Sequence, residues 1–227
     1  MNTDRSPVTA PALSLIDLAS NEPSATAAAY RQLLGHSLRR PTPEATDPAD
    51  DARTDIAVVD AVNATIRIRH GESGDHRAMF AAPDPEAHVR LLRRRGLALD
   101  GPVDGEWYSD TAPFGVASSS TAPTASTGLD SSEHPEANDI IGIDHVVFQG
   151  ADRDQCVALF GATLGLDFRL DREVNPDLRQ LFFRTGDFVV EVVIPTAASL
   201  NDPVSLWGIA WRSRDIEATR TRLSVAA

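Results

Sequence analysis

The sequence predicts an α+β fold in which one strand–helix–strands unit occurs twice, the second copy shorter than the first. Three observations predict it: an internal repeat at nearly constant spacing, a polar stretch between the copies, and β-branched runs interleaved with helical patterns.

The first unit runs over residues 11–117. Leu13–Gly35 holds a strand and the helix after it, Ile56–Val59 and Ala64–Arg69 supply further strands, and Asp84-Pro85 forms an N-cap and N1 pair that opens a second helix. Leu97–Leu99 and Trp107–Ala117 offer the remaining strands. Residues 118–138 are rich in Ser, Thr, Ala and Pro and poor in large apolar residues. Such a stretch cannot bury enough surface to offset its ordering entropy, so it reads as a flexible linker.

The second unit, 139–227, opens on the β-branched strand Ile140–Phe148. Asp152 caps a helix whose apolar face is Cys156, Val157, Phe160 and Leu164, with Gly165 at its end. Gln180–Arg184 and Phe188–Ile194 are strands joined by the hairpin turn Thr185-Gly186-Asp187. Leu206–Trp211 is another strand, and Asp215 begins a second helix reaching Leu223. A displacement of 130 residues lays Leu13–Gly35 over Ile143–Gly165 without a gap. One of 131 lays Asp84-Pro85-Glu86-Ala87 over Asp215-Ile216-Glu217-Ala218.

Composition narrows the function. The net charge of −12 opposes a phosphate backbone, and the cluster Arg90, Arg93, Arg94, Arg95 reads as the cationic end of a helix rather than a nucleic-acid patch. No apolar run spans a membrane and no secretory signal opens the chain, which makes the cytoplasm the expected compartment. The chain has no lysine, excluding Schiff-base and P-loop chemistry, and its single Cys156 reads as inert core. Asn63-Ala64-Thr65 matches a glycosylation sequon, without meaning where no secretion signal exists.

Ile143-Asp-His-Val-Val-Phe148, Leu164-Gly-Leu166, Phe188-Val-Val-Glu-Val-Val193 and Gly208–Ala218, in that order and spacing, resemble a vicinal-oxygen-chelate domain of the glyoxalase, bleomycin-resistance and dioxygenase kind. The resemblance covers residues 140–227 well and 11–117 more weakly. It implies tandem domains of repeated βαβββ modules curled into an open cup, the second domain incomplete at its C-terminal side. It also implies metal ligands at His145 and Glu191, with Glu191 the catalytic carboxylate. The bound ion is a divalent metal (zinc, manganese, nickel or iron), completed by water, substrate or another chain. The fifth-strand ligand position falls on Gly208, which cannot ligate. In the first unit the matching positions are Leu15, then Ile66 or Arg67, then Arg77 with His76 one residue away, so that unit is expected to be metal-free.

Glu191 stands out without the resemblance, because a lone carboxylate inside an apolar strand is costly unless paired or metal-bound. His145 reads equally as a ligand or as a backbone-bonded histidine. Arg212 is the candidate for binding an anionic substrate, against the plainer reading of a surface arginine. Trp207 and Trp211 are expected on the packed face opposite Gly208. His36, His70, His88 and His134 have no partners at metal-ligand spacing. The implied function is a glyoxalase-like enzyme acting on a small oxygenated substrate by lyase, isomerase or dioxygenase chemistry. The alternative is a metal-free binding or sequestering protein, or an inactive relic. The strand Leu206–Trp211 needs cover, from the first unit, from a second copy in a homodimer, or from further chain.

Overall fold

Each unit begins with an apolar strand that turns at once into a helix. The computed structural model describes residues 12–34, 57–60, 63–72, 74–118 and 139–225. In the first unit the elements are β1 (Ala12–Ser20), α1 (Pro23–Leu34), β2 (Ala57–Asp60), β3 (Thr65–His70), β4 (Arg77–Ala82), α2 (Pro85–Arg94), β5 (Asp100–Val103), β6 (Glu106–Tyr108) and β7 (Phe114–Ser118). Their sheet has the order β2-β3-β1-β4-β7-β6-β5. The second unit comprises β8 (Ile140–Gln149), α3 (Arg153–Cys156) continued as a π-helix (Val157–Thr163), β9 (Asp167–Asn175), β10 (Leu178–Thr185), β11 (Phe188–Pro195), β12 (Ser205–Ser213) and α4 (Ile216–Val225). Its sheet has the order β12-β8-β11-β10-β9. No helix among the described residues is long and apolar enough to cross a membrane.

Local chemistry sets these boundaries. Asp84, Asp152 and Asp215 each accept backbone N–H bonds from the first turn of α2, α3 and α4. The helix after Asp152 starts as the sequence suggests but widens to i→i+5 bonding, Leu164 N–H to the Leu159 carbonyl, before Gly165 ends it at φ +78°. Leu97 and Leu99 are buried ahead of β5 rather than within it. Ala117 and Ser118 close β7, so the polar stretch starts just past that strand; residues 119–138, and Gly35, His36 and His134, lie outside the described residues.

Strand register puts the repeat on a structural footing. β1 runs parallel to β3 and antiparallel to β4, with Asp17 opposite both Arg67 and Arg77. β8 runs parallel to β11 and antiparallel to β12, with Val147 opposite both Glu191 and Gly208. Asp17 therefore matches Val147, Arg67 matches Glu191 and Arg77 matches Gly208. The choice between Ile66 and Arg67 falls to Arg67, since Ile66 is fully buried in the core. β12 takes the place that β4 holds in the first unit.

The two units share one core. Phe114 of β7 packs on Phe148 (5.2 Å) and Phe160 (5.3 Å), and Phe160 stacks on Phe183. Side chains also bridge the units. Arg222 of α4 donates to the Gln32 and Leu33 carbonyls at the end of α1, and Arg95 donates to the Thr163 carbonyl. Asn63 pairs its amide with the backbone of Ile143 in both directions, at 2.9 and 2.8 Å, like a one-residue strand. Asn63→Ala should lower stability by about 1–3 kcal/mol, because it strands a buried N–H and C=O. Chemical denaturation measures this; a loss confined to the noise would mean that water replaces the amide without cost.

β9 differs from its neighbours. Almost every residue of it is exposed, and its charges are tied by Arg169 to Asp167, Arg153 and Arg179 to Asp171, and Arg179 to Glu173.

Candidate functional site

The second sheet has two unlike faces. Val146, Phe148, Val190 and Val192 are fully buried on one, against the π-helix. By alternation His145, Val147 and Glu191 occupy the other. Glu191 sits in the apolar run of β11 and is 7% exposed. Parallel pairing of β8 and β11 carries His145 beside it, with His145 Nε2 3.0 Å from Glu191 Oε2.

Each member of this pair is held from behind. His145 Nδ1 lies 2.9 Å from Asp144 Oδ2, which fixes the ring orientation. Gln180 on β10 donates to Glu191 Oε1 at 2.5 Å, and Arg172 on β9 donates to Gln180 Oε1 at 2.6 and 2.9 Å. Arg212 Nε stands 3.8 Å from Asp144 Oδ1. A continuous polar chain thus crosses the sheet, from Arg212 through Asp144, His145, Glu191 and Gln180 to Arg172. The sequence-level candidates His145, Glu191 and Arg212 belong to one constellation, while Asp144, Gln180 and Arg172 were not singled out by sequence. The missed signal was Gln180 and Arg172 facing each other across a strand pair (register Gln180 to Arg172).

Gly208 matters here by lacking a side chain. A Cβ built there would meet nothing within 4 Å, so the position is open space beside Val147. Trp211 packs edge-on against Tyr30, as expected of a packed face. Trp207 does not: it is 66% exposed, because the register slips between Leu206 and Gly208 and turns it outward. Cys156 is fully buried, and burial pushes its thiol up to about 11, so it is no nucleophile. His88 is buried in α2 away from these groups.

In the first unit the matching place is filled by ion pairs. Arg67 donates to both oxygens of Asp17, to both of Glu106 and to the Tyr108 hydroxyl. Burial alone would lower the Arg67 pKa, but Asp17 and Glu106 outweigh it and raise it, so the guanidinium stays charged. Arg69 adds a second cation on Asp17, and Arg77 lies over the Tyr108 ring at 5.1 Å. A guanidinium and its carboxylates thus occupy the place that Glu191 holds in the second unit. Among the described residues of either unit, no group of three or more His, Cys, Asp or Glu converges as a metal cluster.

No protein-family model matches the sequence, and no curated protein is similar to it in sequence. Solved structures do resemble the fold. A xylose isomerase-like TIM barrel/4-hydroxyphenylpyruvate dioxygenase fusion protein superposes with a TM-score of 0.64 at 12% identity, over 100% of this chain and 41% of that one. A mutant of 4-hydroxymandelate synthase from Streptomyces coelicolor superposes with a TM-score of 0.63 at 12% identity, over 96% of this chain and 75% of that one. The chain thus spans less than half the length of the first of these.

Proposed function

We propose that this chain, which has the vicinal-oxygen-chelate fold, binds a divalent cation on His145 and Glu191 and uses it to act on a small oxygenated substrate. The observation that carries this is the 3.0 Å separation of His145 Nε2 and Glu191 Oε2. Two donors each about 2.1 Å from one ion, at right angles, stand about 3.0 Å apart. The supporting contacts fit as well: Asp144 on the far ring nitrogen and Gln180 on the second carboxylate oxygen are what a ligating histidine and glutamate need.

When bound, the cation polarises the substrate oxygens. The protein's own groups do the rest. Glu191 supplies the negative charge at Oε2, while Gln180 holds Oε1 and fixes the carboxylate plane. Arg212, exposed beside Asp144, is placed to meet an anionic substituent. Among lyase, isomerase and dioxygenase reactions, the likeness to a 4-hydroxyphenylpyruvate dioxygenase fusion protein favours the dioxygenase kind.

Glu191→Gln should remove divalent-ion binding, and His145→Ala should weaken it less, since only the carboxylate carries charge. Calorimetric titration with zinc, manganese and nickel measures this. Equal affinity in wild type and Glu191→Gln would overturn the metal site.

A second reading has its own support. The first unit holds its strands together with Arg67 instead of an ion, and the second offers two ligands where a tight site uses more. On that reading the chain is a metal-free binding protein, and ligand binding survives removal of all divalent ions by a chelator.

A further inference from the structure

We propose that the seam between the two units holds a separate binding site for a small, uncharged, flat ring compound bearing a carbonyl or ring-nitrogen acceptor. A cavity of about 380 Å³ lies where the end of β1 and the start of α1 face the outer edge of β12. That volume is within the usual range for small-molecule sites, roughly 300–1,000 Å³. Neither His145 nor Glu191 lines it, so this site does not depend on the metal reading.

Its lining specifies the ligand. No carboxylate, arginine or lysine is among the lining residues, so an ion would lose its hydration without a countercharge. Trp207 offers an indole face that is 66% exposed and takes part in no ring contact among the described residues. A flat ring can stack there. Gly208 beside it leaves the space open. His76 sets the polarity: its Nδ1 accepts the Ala19 N–H at 3.1 Å, leaving Nε2 as the ring's donor. Burial first, and Arg69 second, lower the His76 pKa and keep the ring neutral. An occupant therefore meets a neutral donor, which calls for an acceptor atom. β12 is the last strand of its sheet, so its outward backbone groups have no sheet partner among the described residues and can complete the contact.

Calorimetric titration of the full chain with 2-quinolone tests this, beside Trp207→Ala, Gly208→Val and Glu191→Gln. Trp207 is exposed and a Cβ at 208 meets nothing, so the first two variants should keep the wild-type melting temperature. One saturable binding event is expected in wild type and in Glu191→Gln, weakened at least about tenfold in Trp207→Ala and Gly208→Val. Quinoline-4-carboxylate should bind at least about tenfold more weakly than 2-quinolone. The absence of saturable heat, undiminished binding in both seam variants, or equal affinity for the carboxylate would each overturn the proposal. Loss of 2-quinolone binding in Glu191→Gln would move the site to the His145–Glu191 pair and overturn it as well.

Discussion

Arg67→Ala should destabilise the fold by about 3–5 kcal/mol, the cost of leaving partners of a buried ion pair without their counterion. Asp17 and Glu106 keep only 2% and 7% of their side-chain surface in water, and Arg67 reaches all four of their carboxylate oxygens. Arg69 still touches Asp17 in the variant, but among the described residues Glu106 retains only the Tyr108 hydroxyl as a side-chain partner. At this chain length the loss corresponds to a melting temperature lower by on the order of 10 °C. Arg67→Lys should fall between, since an ammonium restores charge but cannot fork to two carboxylates. Thermal unfolding of the three proteins measures this. An Arg67→Ala protein that melts with wild type would show that the network contributes nothing to stability.

Phe160→Ala should cost a similar amount, about 3–5 kcal/mol, by a different route: an apolar cavity. Phe160 is fully buried and its ring meets Phe114, Phe148 and Phe183, all within 5.3 Å between centroids. Phe114 belongs to the first unit, so the cavity opens at the joint between the two. Both units should lose stability together, in one cooperative transition. Hydrogen exchange resolves the outcome residue by residue. Unchanged protection in β1, β3 and β4 beside lost protection in β8 and β11 would mean that the units unfold separately.

The strands legible in the sequence are those with apolar faces. Ile140–Phe148, Phe188–Ile194 and Leu206–Trp211 fall within β8, β11 and β12 because β-branched and aromatic runs mark buried pleats. β9 was missed for a different reason: Phe168, Leu170 and Val174 alternate with charged residues in Asp167–Asn175, but the alternation breaks at Arg172 and the segment lacks the apolar run that marks the other strands. Trp207 was misplaced because period two fails at a bulge, which no sequence pattern announces. Glu191 was legible as a carboxylate inside an apolar strand. The same argument applies to Asp17, flanked by Ile16 and Leu18, and to Arg67, between Ile66 and Ile68. What the sequence could not show was that these two, fifty residues apart, meet Glu106. Asn63 was hidden behind its sequon, and its bond to Ile143 depends on how the units dock.

The bare edge of β9 has a bearing on how the protein behaves when concentrated. β9 is paired with β10 on one side, and its outer side has no sheet neighbour among the described residues; with Leu170 and Val174 nearly half exposed, that side is a template for fibril growth by strand addition. Charges of both signs stand along it, at Asp167, Arg169, Asp171, Arg172 and Glu173. An incoming strand must strip their hydration and disturb the ion pairs that hold them in place. That barrier is electrostatic and sits at the surface, where salt screens it over about 8–10 Å at ordinary ionic strength. Colloidal stability at this edge therefore falls as salt rises.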